Sequence, residues 1–186
     1  MVKRKIEKEI KIVQKGDTVL REQAQVVPLA EIKTAKIQKI IANMKTALKS
    51  QLDGVAIAAP QIGVPLRIFI VSRRVEIITK GLENLSAEET DKLIDPVYIN
   101  PEIKKVSRLK KQLDEGCLSV RYLYGQVERA EKATVTAYDE NGKKFTKGGS
   151  GLLAQIFQHE TDHLNGILFI DKAKNIKEVL PEVAKS

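Results

Sequence analysis

Gln158-His159-Glu160-Thr161-Asp162-His163-Leu164-Asn165-Gly166 sets two histidines four residues apart around a glutamate. That spacing predicts a helix, because side chains four apart on a helix lie one above the other and can grip a single ion. The helix is expected over about Leu152 to Asn165, with Gly148 to Gly151 breaking the strands before it. These are the only two histidines in 186 residues, and the single cysteine sits in a second short motif, Glu115-Gly116-Cys117-Leu118-Ser119. Three rare ligand side chains confined to two motifs predict one metal site, made by Cys117, His159 and His163, and with it an enzyme.

Upstream, the texture is that of short strands. Ile10 to Val13 reads as a short strand and Asp17 to Arg21 as a turn or short helical segment. Beyond Pro28 and Glu31, the apolar positions Ile37, Ile40, Ile41, Met44 and Leu48 follow helical spacing, with lysines on the other face. They predict an amphipathic helix reaching to about Leu52. Leu66 to Val71 and Val97 to Pro101 read as strands, separated by a charged, irregular surface excursion over Ser72 to Asp95. Glu128 to Tyr138 and Lys143 to Phe145 read as a hairpin around Asn141-Gly142, a pair suited to a type I′ turn. The pattern predicts an α+β fold, with short antiparallel sheets packed around a central metal-binding helix and an N-terminal amphipathic helix.

Composition sets broad limits. A length of 186 residues suits a single domain, 1–186, with 42% apolar and 30% charged residues. One cysteine excludes an internal disulfide framework and fits a reducing compartment. No run reaches the ~20 apolar residues of a membrane span. Met1 to Glu9 is basic without the apolar centre of a secretion signal, and its glutamates argue against a transit peptide, so a cytoplasmic protein is expected. The net charge of +8 gathers at Lys3 to Lys11, Arg108 to Lys111 and Lys143 to Lys147. These stretches are read either as solvated surface or as attraction to nucleic acid or a ribonucleoprotein surface such as the ribosome. Aromatic content of 4%, with no tryptophan, argues against sequence-specific nucleic-acid readout.

Three protein ligands leave a tetrahedral ion one open position, the arrangement of catalytic sites. An ion in that setting brings a water's pKa down to about 7, giving a nucleophile suited to a carbonyl carbon. Glu160 is rotated away from the ligand pair and suits a general base. Leu152, Gln155 and Ile156 precede the histidines on or near the same face. Gly116 lets the backbone beside Cys117 approach a substrate, where an amide N–H meets a developing oxyanion. Asp162 is read as fixing an imidazole or a nearby cation. A nucleophilic role for Cys117 is disfavoured, since a Cys–His pair does not require the second histidine.

Gly54-Val55-Ala56-Ile57-Ala58-Ala59-Pro60-Gln61, the Cys117 motif and the His159 motif together resemble the three motifs of the peptide deformylase family, over about Lys11 to Asp171. The resemblance implies removal of the formyl group from N-formylmethionyl nascent peptides, with release of formate. It implies metal ligation by Cys117, His159 and His163, and proton transfer by Glu160. Gln61 and the Leu118 amide would stabilise the oxyanion, while Gly54, Val55, Ala56, Gly116, Leu152 and Ile156 would contact substrate. Glu115 and Arg129 would form an ion pair supporting the cysteine loop. One divalent ion is implied, Fe2+ first, with Zn2+ or Ni2+ in the same site.

Two positions depart from the family pattern. Ala56 stands where glycine is usual, so its methyl narrows the cleft or forbids a glycine-only conformation. Arg121 stands where proline is frequent, altering the cleft rim. Two rival readings accompany an active deformylase: a non-catalytic relative binding the ribosome, and an H-E-x-x-H metallopeptidase that would leave Cys117 without a role.

Overall fold

The computed structural model describes residues 10–82 and 84–180, so most of the N-terminal basic stretch, Lys3 to Glu9, lies outside the described residues. In chain order the elements are α1 (Ala35–Lys49), β1 (Ala56–Ala58), β2 (Ile68–Val71), α2 (Arg73–Lys80), α3 (Ala87–Lys92) and β3 (Val97–Val106). There follow β4 (Lys110–Gly116), β5 (Leu123–Ala130), β6 (Lys132–Tyr138), β7 (Lys144–Ser150), α4 (Leu152–Leu164) and β8 (Lys174–Glu178). Two antiparallel sheets result, one ordered β1-β2-β3-β6-β7 and the other β4-β5-β8. The fold is α+β.

Period-two alternation distributes the core of the larger sheet. Ile57, Ile68, Ile70, Val97 and Ile99 pack in one cluster with Ile37, Ile41, Met44 and Leu48 of α1. Their neighbours Ala56, Ala58, Phe69, Val71 and Tyr98 pack in another with Ala154, Ile156, Phe157 and Leu164 of α4. β2 reads as an unbroken apolar run because both its faces are covered. Helix α1 starts where the Thr34 hydroxyl accepts the Ile37 N–H, and it leaves Lys36, Lys39 and Lys49 exposed. Helix α4 buries Ala154, Ile156, Phe157, Glu160, Asp162, His163 and Leu164, more than one face of it. The ring of Phe157 stands edge-on to Tyr98 at 5.4 Å, and Tyr98 stacks on Phe69 at 4.6 Å. Truncating a fully buried ring such as Phe157 costs about 3–5 kcal/mol.

Several local expectations are corrected. Ser72 to Asp95 is not irregular but holds α2 and α3. Ser72 accepts from the Arg74 N–H, Val75 is the buried residue of α2, and Asp95 accepts from the Arg73 N–H at 2.7 Å. Two short, polar helices with one buried anchor leave no period to read. Ile10 to Val13 forms no strand; Val13 donates to the Gln61 carbonyl at 2.9 Å without a ladder. β3 continues through Pro101 to Val106, because a register shift between Ile99 and Glu102 absorbs the missing N–H.

The predicted strand Glu128 to Tyr138 is two strands in different sheets, divided at Glu131. Its turn is not type I′, which needs positive φ at both central residues. Gly142 has φ 77° but Asn141 is not left-handed; Asp139 instead caps the turn, accepting from Asn141 and Lys143 at 2.9 and 2.8 Å. Gly148 and Gly149 do not break β7, whose ladder to β6 runs through them to Ser150. β4 and β8 carry too many exposed charges for their sequences to announce strands.

Candidate metal centre

β4 ends at Gly116 and the chain turns at once, placing Cys117 beside α4. Only glycine fits before that turn: a Cβ on Gly116 would stand 2.7 Å from the Tyr124 ring, its cross-strand partner. On α4, the four-residue spacing brings the rings of His159 and His163 to 5.0 Å between centroids. One ligand atom from each of Cys117, His159 and His163 lies within 4.8 Å of the other two. The thiol sulfur is 3.2 Å from His163 Nε2. Burial alone pushes the Cys117 thiol up, but the charges and hydrogen bonds of His163 and His159 outweigh it and bring it down to about 5. A thiolate with two imidazoles is the donor set of a borderline divalent ion.

Behind the ligands runs a buried charge network. His159 Nδ1 lies 3.0 Å from Glu115 Oε2; the carboxylate accepts, which fixes that tautomer and leaves Nε2 for an ion. Arg129 grips Glu115 with two bonds of 2.8 and 2.9 Å and Asp162 with a third of 2.6 Å. Lys172 donates to both Asp162 oxygens at 2.7 Å, so Asp162 holds cations and not an imidazole. Burial raises the Glu115 carboxyl, but bonds from His159 and Arg129 prevail and hold it at about 2.

Gln61 is 2% exposed, and its amide is oriented from both ends. Its Oε1 accepts the Ala58 N–H at 2.8 Å, turning the NH2 group toward Cys117 Sγ at 3.4 Å and Ser119 Oγ at 3.2 Å. Glu160 is 3% exposed, and burial raises its carboxyl above the usual range. Its Oε2 and His163 Nδ1 are the buried side-chain polar atoms without a partner among the described residues. An unpartnered carboxylate oxygen beside three ligand atoms fits an ion with a water to be deprotonated there.

A cleft of about 300 Å³ opens in front of these groups. Gly54, Val55, Ala56 and Gln61 line one side, Glu115 to Leu118 another, and Leu152, Ile156, His159 and Glu160 the helix side. His163 is deeper, at 1% exposure, and Arg129 stands behind the wall at 3%. Ala56 lies in β1 with no positive φ and packs in the α4-side core. The idea of a glycine-only conformation there therefore falls.

Sequence reasoning named Ser119, Gln155 and Gln158 in or beside its motifs without finding what they do. Ser119, fully buried, helps aim Gln61, and Gln155 donates to the Asp114 carbonyl at 3.0 Å. Gln158 ties α4 to β5 through the Ala130 N–H and carbonyl, both at 3.0 Å. Asp53, Tyr122 and Tyr124 line the mouth, and nothing in their local sequence marks them.

The family model for polypeptide deformylase matches residues 10–179. Peptide deformylase 1A, chloroplastic/mitochondrial, of Arabidopsis thaliana is 43% identical over 162 residues, covering 87% of this chain and 60% of that protein. The chain likewise spans 58% of the chloroplastic peptide deformylase 1A of Solanum lycopersicum. The peptide deformylase of Carboxydothermus hydrogenoformans is 43% identical over 166 residues, covering 89% of this chain and 94% of that one. Among solved structures, a Synechococcus elongatus peptide deformylase in complex with actinonin superposes with a TM-score of 0.74 at 34% identity, covering 94% of this chain and 85% of that one. On the match to the family model, the identity to these relatives and the shared fold, the chain belongs to the polypeptide deformylase family.

Proposed function

We propose that this chain hydrolyses the formamide bond of N-formylmethionyl nascent peptides, releasing formate and a free amino terminus. The observation that carries this reading is the buried Glu160 carboxylate, with one oxygen unpartnered, beside the ligand atoms of Cys117, His159 and His163. β1 and β4 each end a sheet, and residues from both line the cleft. An extended peptide suits such a space, because open strand edges offer main-chain hydrogen bonds.

Cys117, His159 and His163 would hold one divalent ion, Fe2+ foremost, with Zn2+ or Ni2+ compatible with the same donors. When bound, the ion supplies Lewis acidity toward the formyl oxygen and a lowered water pKa. Glu160 accepts the proton of the attacking water as the new C–O bond forms. The Gln61 NH2 group and the Leu118 N–H donate to the oxygen on which negative charge develops. Glu160 then passes its proton to the departing nitrogen, the C–N bond breaks, and formate leaves. Burial favours the protonated carboxyl and so suits Glu160 to carry a proton between two partners. Glu115, fixed by Arg129, orients His159.

We read the chain as one catalytic domain, since α4 packs on the larger sheet and also meets β5 of the smaller one. A reducing compartment, the cytoplasm, suits a lone thiolate ligand. The exposed basic runs at Arg108 to Lys111 and near Lys143 to Lys147 suit a ribosome surface. Among the described residues no helix is long and apolar enough to cross a membrane. The reading is tested by formate release from a formyl-Met-Ala peptide, using protein prepared anaerobically with its metal content measured. Metal-loaded protein that releases no formate would refute it.

A further inference from the structure

The rim of the cleft carries a charge arrangement that the chemistry above leaves unused. Arg121, in the turn between β4 and β5, reaches across to the loop between α1 and β1. Its guanidinium donates to Asp53 Oδ2 at 2.7 Å and Oδ1 at 3.3 Å, and to Gln51 Oε1 at 2.6 Å. The partners are unequally exposed: 28% for the Arg121 side chain and 60% for that of Asp53. The guanidinium is thus occupied and half withdrawn, while the carboxylate keeps acceptor capacity facing water.

The surroundings reinforce that sign. The whole chain carries +8, yet of the carboxylates lining the cleft Glu115 is paired with Arg129 and Glu160 is buried, which leaves exposed Asp53 and Asp114 at the rim against one guanidinium, Arg121. Tyr122 and Tyr124, each 42% exposed, line the same mouth. Tyr122 sits at φ 68°, a strained backbone for a large side chain, and its carbonyl accepts the Val179 N–H at 2.8 Å. Exposed aromatic faces beside a carboxylate take the apolar stem and cationic head of lysine or arginine.

We propose that Asp53, held in place by Arg121, selects for a basic side chain among the residues that follow methionine in the substrate. The inference rests on the deformylase reading and adds a preference to it. Asp53 supplies the charge, Arg121 positions it, and the two tyrosines contact the stem.

The test compares formyl-Met peptides with lysine, glutamate or alanine at each of the two positions after methionine, otherwise identical. Formate release gives kcat/KM, and the lysine-to-glutamate ratio within one preparation cancels differences in folding and metal loading. The wild type should favour lysine, with the ratio collapsing toward one at 1 M salt, where screening acts over roughly 3 Å. Asp53→Asn should lower the ratio about three- to fivefold, since it removes one attraction and one repulsion of the size usual for exposed pairs. Arg121→Gln should lower the ratio toward that of Asp53→Asn, because Asp53 loses the two bonds that hold it at the rim; a ratio unchanged by Arg121→Gln would remove Arg121 from the proposal. A ratio unmoved by Asp53→Asn, or a wild type favouring glutamate, would overturn the inference. No release from any of the three peptides by metal-loaded wild type would overturn the deformylase reading and this preference with it.

Discussion

Arg129→Met tests the buried network most directly. The side chain is nearly isosteric in its stem but removes three hydrogen bonds: two to Glu115 and one to Asp162. Glu115 is 5% exposed and cannot turn to water, while Asp162 keeps Lys172. Against burial, the Glu115 carboxyl is held at about 2 by the His159 bond first and by the Arg129 guanidinium second, so only part of that depression depends on Arg129. Removing one partner of a buried pair typically costs about 3–5 kcal/mol. A loss of that size should lower Tm by about 6–20 °C for a chain of this length. Because the folded pKa is depressed, the stabilisation is full above the unfolded value of 4.5 and is lost as pH falls toward 2. The wild-type advantage in urea unfolding, measured at fixed metal loading, should therefore be constant near neutrality and shrink from about pH 5 downward. Glu115→Gln placed on Arg129→Met should recover part of the loss, because a neutral amide still accepts the His159 N–H. A loss below ~1 kcal/mol, or a gap that does not narrow in acid, would refute the assignment of Glu115 as a buried charge dependent on Arg129.

Four further outcomes follow from the metal centre and cleft. Cys117→Ser should sharply reduce metal affinity, since a neutral hydroxyl replaces a thiolate; one equivalent of metal with full activity would contradict ligation. Glu160→Ala should keep its metal and lose about 10²–10⁴-fold in turnover; a metal-free variant would move Glu160 among the ligands. Gln61→Leu should lower kcat by roughly 10²–10³ with little change in KM, and a pure KM effect would make it a ground-state contact. Ala56→Gly should raise kcat/KM per folded, metal-loaded enzyme, most for bulky residues after methionine, if the methyl crowds the cleft. It should also cost up to ~1 kcal/mol of stability from added chain entropy. An unchanged or lower kcat/KM would show that the methyl is accommodated.

The ligand-bearing helix was legible because its chemistry and its geometry share one period. His159 and His163 come together on one face of a helix, and the apolar spacing of Ile37 to Leu48 marks α1, packed on the other face of the larger sheet, in the same way. β2 was legible for the opposite reason: burial on both faces leaves no choice but an apolar run. β4, β8, α2 and α3 were not legible, since each is polar and held by long-range pairing or a cap, not by a face of its own. The same limit applies at the site. Motif chemistry named Cys117 and Glu160, and the family resemblance named Gln61. Nothing local could show that Gln61 aims its NH2 at Cys117, 56 residues on, or that Asp162 joins Glu115 through Arg129. Nor could it show that Arg121 crosses the rim to Asp53, 68 residues away in the chain. Rare ligand side chains and helical periods are written in neighbouring residues. Hydrogen-bond partners and charge pairs are decided only when distant segments are brought to within 3 Å, which is what tertiary packing does.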